Sequence, residues 1–288
     1  MYPAAFDYLA PRSLDEALAA LDDLGEDGTV LAGGQSLIPL MKLRLATPGT
    51  LVDINRIPGL DFIEASNGHI RIGATVRHAD MVRSRVAAAN HTVAAAAPWI
   101  SDPLVRNLGT VCGSVAHCDP KGDWNSVMLA VRAEVVARSR DGERVIPIDD
   151  FVVDFFTNSL RPAEMVTEVR VPRYRGRGGG TYLKLERKVG DYATVGVATQ
   201  LQLDDAGRIS DAGIALTSVN PINTRATAAE EVLVGEEPSE QLFSEAAELA
   251  SRAADPEDSI RGSAAWRREL VGVYTRRALA TALQRAQA

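Results

Sequence analysis

The sequence predicts a mixed α/β N-terminal part followed by a small α+β domain made of a three-stranded antiparallel sheet and helices. Three observations carry this. Helical and extended periodicities alternate as far as Pro172, a basic glycine-rich stretch then breaks every pattern, and three β-type runs followed by helical sequence fill the remainder. At 288 residues the chain exceeds an average domain, so the break is read as a seam between an N-terminal domain, 1–175, and a C-terminal domain, 176–288. The N-terminal domain divides in turn into two α/β subdomains of about residues 1–55 and 56–175.

Ser13 with Glu16 three positions on fits a capping box, and Leu14, Ala17, Leu18 and Leu21 recur at helical spacing up to Gly25. Thr29-Val30-Leu31 is a short β-type run, Ala32–Ser36 leads into a helix starting near Ser36, and Leu51–Ile54 is a second strand. Ile70–Gly73 alternates like a strand. Thr75 is placed to cap a helix through Ala79 and Val82, and Val93–Ala97 forms another short helix before Pro98. Trp124–Arg132 has helical spacing, after which Val135-Val136-Ala137 and Val145-Ile146 flank the hairpin signal Asp141-Gly142. Met165–Val171 is a strand ending at Pro172, and Arg173–Gly180 is the linker. Beyond it Thr181–Arg187, Ala193–Leu203 and Ile209–Thr217 are strands, with a turn at Asp204-Asp205-Ala206-Gly207, and helices occupy most of the chain from Arg225 onward.

Composition excludes several classes of function. Hydrophobic residues at 46% and charged residues at 24% are those of an ordinary globular protein. The net charge of −7, with no stripe of Lys and Arg, excludes a nucleic-acid partner. No apolar run approaches the roughly 20 residues that span a bilayer. Met1–Asp7 lacks the basic-then-apolar order of a leader, so a cytoplasmic protein is expected. The two cysteines, Cys112 and Cys118, make neither a disulfide framework nor the four-thiolate set of an iron–sulfur cluster. With His117 and Asp119 they crowd one short segment without a distant partner pair, so no metal centre is expected.

Chemistry is carried by two small-residue loops. Ala32-Gly33-Gly34-Gln35-Ser36 lies between a strand and a helix start, where backbone N–H groups converge on an anion such as a dinucleotide pyrophosphate. Its glycines permit close backbone approach, and Gln35 and Ser36 add side-chain donors. Gly109-Thr110-Val111-Cys112-Gly113-Ser114 repeats that chemistry. Neither is Gly-x-Gly-x-x-Gly, and no acidic residue ends a strand at the matching offset, which disfavours a Rossmann site.

The run Ala32-Gly33-Gly34-Gln35-Ser36-Leu37-Ile38-Pro39-Leu40-Met41-Lys42-Leu43-Arg44, with Leu51-Val52-Asp53-Ile54 behind it, closely resembles the FAD-binding medium subunit of carbon monoxide dehydrogenase-type molybdenum hydroxylases, in the xanthine dehydrogenase family. The resemblance continues through Asp102–Thr110, Gly113–His117, Asp119-Pro120 and Gly122-Asp123-Trp124, then Tyr182–Leu185 and Arg187–Ala193, and so covers essentially the whole chain. It implies a PCMH-type, vanillyl-alcohol-oxidase-like FAD fold, with the pyrophosphate held by Ala32, Gly33, Gly34, Gln35 and Ser36 and by Thr110, Val111, Cys112, Gly113 and Ser114. By the same resemblance Asp123 accepts hydrogen bonds from the adenosine side, Ile100 and Val166 line the cofactor channel, Lys184 sits near the flavin and Tyr192 covers part of the isoalloxazine.

Each position also has a plainer reading. Asp123 suits a helix cap, Ile100 and Val166 suit core, Lys184 a solvated strand charge and Tyr192 an anchor between domains. His78 and His117 are read as hydrogen-bonded structural histidines. One departure stands out: where the family usually has Thr-x-Gly-Gly-Ser this chain has Cys112, whose Cβ is costly if the loop needs a positive φ.

The resemblance further implies an oxidoreductase subunit. Electrons would pass from a molybdenum–pterin centre on a large subunit, through [2Fe–2S] clusters on a small subunit, to this chain's FAD and an external acceptor, within a dimer of heterotrimers. Neither a catalytic residue nor a metal ligand is expected here. Two alternatives remain open: a stand-alone flavin oxidoreductase, for which the sequence displays no base, and a non-catalytic assembly subunit that has lost FAD.

Overall fold

The structure is a computed structural model that describes residues 2–288. Its first sheet is wholly parallel, with Thr50–Asp53 between Asp7–Leu9 and Gly28–Leu31. Parallel strands need a crossover, and helix Leu14–Leu24 supplies the one between the two outer strands, burying Ala17, Leu18 and Leu21 against Val52 and Ile54. Ser13 Oγ accepts from Glu16 N at 3.2 Å, while the Glu16 carboxylate accepts from Arg12 N at 2.7 Å, one residue before the cap. Gly25, at φ 56°, ends the helix where any Cβ would be strained.

The second sheet is antiparallel throughout, in the spatial order Ile63–Ser66, His69–Gly73, Met165–Pro172, Glu134–Ser139 and Gly142–Pro147. The expectation of a second α/β subdomain is therefore corrected to α+β. Five helices between His78 and Ala130 intervene in sequence between His69–Gly73 and Glu134–Ser139, and from them Trp124, Met128 and Val111 share a core with Ile70, Ile72, Val135 and Val169 of this sheet. Thr75 is not a helix cap. Residues 76 and 77 stay extended because Val111 N donates to Val76 O at 3.1 Å and His78 N to Gly109 O at 3.0 Å; the helix starts at His78, where the Asp80 carboxylate accepts from Arg77 N at 3.2 Å.

Strand Arg177–Glu186 takes in three glycines that sequence reading assigned to a linker. They mark close approach rather than flexibility: a Cβ on Gly179 would strike the backbone of Ala282 and Ala286 in helix Ala264–Gln287, and one on Gly180 the Thr92 hydroxyl and the Thr199 carbonyl. Ala193–Leu203 and Ile209–Thr217 follow antiparallel as expected, with a fourth, two-residue strand, Thr224–Arg225, at the edge. This sheet is covered on both faces. Val195, Val197 and Leu201 pack on helices Glu240–Ala253 and Ala264–Gln287, while Tyr182, Ala198 and Ala215 join the core of the N-terminal part. Among the described residues no helix is long and apolar enough to cross a membrane.

Candidate functional site

A cleft of about 560 Å3 opens between the parallel sheet, the helices over the second sheet and the first strand of the C-terminal sheet. Both small-residue loops line it, and they touch each other. A Cβ on Gly33 would lie 2.6 Å from Gly109 Cα, 2.6 Å from Leu108 O and 2.9 Å from Thr110 N. Gly34 adopts φ 69°, turning the chain into helix Leu37–Leu43. Gln35 Nε2 donates back to Gly33 O at 3.2 Å, so this amide braces its own loop.

Two residues that sequence reading missed tie the loops together. Asn55 Nδ2 donates to Ala32 O at 2.8 Å, and the Arg77 guanidinium donates both to Asn55 Oδ1 and to Leu108 O. A guanidinium fork is suited to spanning two acceptors at once.

The second loop is shorter than its composition suggested. Thr110 is the N-cap of helix Val111–His117, its Oγ1 accepting from Gly113 N at 3.2 Å. Val111 does not reach the cleft: it is fully buried in the core. Cys112 has no positive φ and directs its thiol at the second sheet, donating to Ile72 O at 3.4 Å and Gly73 O at 3.5 Å. Burial, and then the Glu168 charge, push that thiol far above the usual range. The departure from the family pattern thus costs the loop no strain. Cys112→Gly is expected to leave flavin affinity within about threefold of the native chain. The same change should lower stability by about 1–2 kcal/mol through a helical glycine and lost packing. Flavin titration and denaturant unfolding check both, and tenfold tighter binding would show that the cysteine obstructs the site.

Further along the cleft, charge is buried. Lys184 Nζ donates to Asp123 Oδ2 at 2.9 Å and to Trp99 O at 3.1 Å, and Glu186 Oε2 stands 3.5 Å away. The lysine side chain is 1% exposed, so it is no solvated strand charge. Tyr182 donates to Asp123 Oδ1 at 2.6 Å. Desolvation raises the Asp123 pKa, against the pull of Lys184 and Tyr182, and burial with the Asp123 charge holds Tyr182 well above its ordinary value. Gly122, not Asp123, is the N-cap of helix Asp123–Ala130. Both carboxylate oxygens already accept from protein donors, so any ligand contact there is additional to these.

Ile100 and Val166 meet both readings, since they belong to the core and also line the cleft. Tyr192 stands half-exposed at the rim, its phenol pushed up to about 12 by burial and the Asp119 carboxylate. Its loop is held from the C-terminal part: Arg261 donates to Tyr192 O and to Asp191 Oδ1, each at 3.0 Å. No signal near Tyr192 in the sequence points to Arg261.

Fold and cleft together define a non-Rossmann cleft protein, in which two small-residue loops at helix starts line one cavity. Comparison specifies it further. A family model described as "FAD binding domain in molybdopterin dehydrogenase" matches residues 4–174, and one described as "CO dehydrogenase flavoprotein C-terminal domain" matches residues 180–282. The chain is 39% identical over 288 residues to the 6-hydroxypseudooxynicotine dehydrogenase complex subunit alpha of Paenarthrobacter nicotinovorans, covering 100% of this chain and 97% of that one. It is 38% identical to the carbon monoxide dehydrogenase medium chain of Hydrogenophaga pseudoflava, covering 99% of each. The solved carbon monoxide dehydrogenase of that organism superposes with a TM-score of 0.94 at 40% identity, over 99% of both chains. The protein belongs to the FAD-binding flavoprotein family of molybdopterin dehydrogenases, as a medium-chain oxidoreductase subunit.

Proposed function

We propose that this chain holds FAD across the two loops and, as the medium subunit of a three-subunit molybdenum hydroxylase, passes electrons from an iron–sulfur partner to an external acceptor. The observation that carries the reading is the contact of Gly33 with the Gly109–Thr110 backbone, braced by Asn55 and Arg77. The Ala32–Ser36 backbone is thereby held beside the start of the second loop's helix, where a pyrophosphate needs donors. FAD, when bound, supplies an acceptor that takes electrons singly or in pairs. Gly33, Gly34, Thr110, Gly113 and Ser114 are positioned to hold its phosphates, the buried Lys184–Asp123 pair to present a fixed ammonium along the cleft, and Tyr192 to cover the rim. Cys112 leaves the loop undistorted, which favours retained FAD over a lapsed assembly subunit.

Substrate choice is assigned to a partner. Relatives of 39% and 38% identity carry names with unlike substrates, 6-hydroxypseudooxynicotine and carbon monoxide, although both align with this chain from end to end. Purified chain should therefore show a flavin absorption spectrum with about one FAD per polypeptide and hydroxylate nothing by itself. Co-expression with a molybdopterin subunit and a [2Fe–2S] subunit should yield a complex of all three that reduces an added acceptor. Substrate turnover by the isolated chain would defeat the division of labour, and a colourless, folded chain that takes up no added FAD would defeat the flavin assignment.

A further inference from the structure

His78 is 4% exposed, yet it lines the cleft beside the second loop. Its imidazole reaches that wall because residue 109 has no side chain: a Cβ there would lie 2.8 Å from His78 Nε2. On its other side, the Trp124 indole N–H donates to His78 Nδ1 at 3.0 Å. An indole nitrogen donates only, so Nδ1 must offer its lone pair, and the neutral ring must carry its proton on Nε2. Burial, then the Arg106 and Arg77 charges, hold the pKa down to about 4, so the ring stays neutral near neutral pH. His78 therefore presents one N–H of fixed tautomer, and among the described residues no hydrogen bond takes it up.

We infer that His78 Nε2, its tautomer set by Trp124, donates a hydrogen bond to a phosphate oxygen of bound FAD. The inference rests on the FAD reading above. A phosphate oxygen is an acceptor without a competing donor, which suits a group that can only donate. Gly109, against which the ring lies, is also the residue that Gly33 touches, so His78 stands where the two loops meet. The guanidinium of Arg77, the preceding residue, braces those loops, so one short segment positions the loops and adds a donor of its own. A neutral donor also avoids the desolvation that a buried cation would bring.

The chain contains four histidines, so selective 15N-histidine labelling of the full protein gives few signals. The His78 ring, assigned by its contact with the Trp124 indole proton, should show a protonated Nε2 and an unprotonated Nδ1 before any ligand is added. FAD should shift its Nε2–H strongly downfield, ADP should reproduce the shift, and riboflavin, which has no phosphate, should not. His78→Leu should weaken FAD binding about ten- to a hundredfold, as expected for a lost hydrogen bond to a charged acceptor, while His78→Gln, whose amide also donates, should stay within severalfold of native. Should the leucine variant fail to fold, the spectra of the native chain decide. A proton on Nδ1, a shift with riboflavin but not ADP, or an unmoved Nε2–H beside quenched flavin fluorescence overturns the inference alone. Absence of any flavin quenching overturns the FAD reading and this inference with it.

Discussion

Gly33→Ala is expected to raise the dissociation constant for FAD at least a hundredfold while leaving the midpoint of thermal unfolding within a few degrees of native. The added methyl would sit 2.6 Å from Gly109 Cα and from Leu108 O, and both are backbone atoms that no rotamer change can clear. Normal carbon contacts lie near 3.5–4.0 Å, so the loops must part by roughly 1 Å, and the paired donors cease to converge. Gly34→Ala tests the cause. There the neighbour is the flexible end of Ile38, at 2.8 Å, and the main cost is a left-handed φ of 69°. That strain is about 1–2 kcal/mol, so a loss of only about tenfold is expected. Flavin content after purification and fluorescence titration separate the two variants. A Gly33→Ala chain that purifies with full flavin would remove the loop contact from the account.

Lys184→Met is expected to destabilise the chain by about 3–5 kcal/mol, because it leaves the Asp123 carboxylate buried without its cation. The deficit should depend on pH in a definite direction. Burial already raises the Asp123 pKa, and removing Lys184 raises it further, so the folded variant takes up a proton at a pH where the unfolded chain does not. A folded state that binds the extra proton gains stability as pH falls and loses it as pH rises. The gap between variant and native should therefore be wider at pH 8 than at pH 5 in denaturant unfolding. Asp123→Asn in the same chain should recover part of the loss, and the double variant should fall short of the sum of the two single changes. Strict additivity, or a deficit indifferent to pH, would mean that the two side chains do not act as a pair.

What was legible beforehand depended on short range. Ser13 and Glu16 were readable as a cap, Asp141-Gly142 as a hairpin and Ala32–Ser36 as the turn between a strand and a helix, because each is decided by dihedral preferences and hydrogen bonds within a few residues. The resemblance assembled from such motifs was specific enough to indicate the family. Helix and strand order was legible for the same reason, whereas the start of the helix at His78 was not. There a neighbouring loop holds residues 76 and 77 extended, against the local signal at Thr75.

By itself, then, the sequence determined the periodicities, the caps and turns, the two glycine loops and the family that their order resembles, since all of these are written in adjacent residues. Only the tertiary structure decided that the loops touch and that Asn55 and Arg77, 22 positions apart, brace them. It alone paired Lys184 with Asp123 across 61 positions and Arg261 with Asp191 across 70. It also turned Gly178, Gly179 and Gly180 from presumed linker into strand. A glycine in sequence signals freedom of φ and absence of a Cβ equally. Which of the two matters depends on what packs against it, and at Gly179 that is the backbone of a helix about a hundred residues further along the chain.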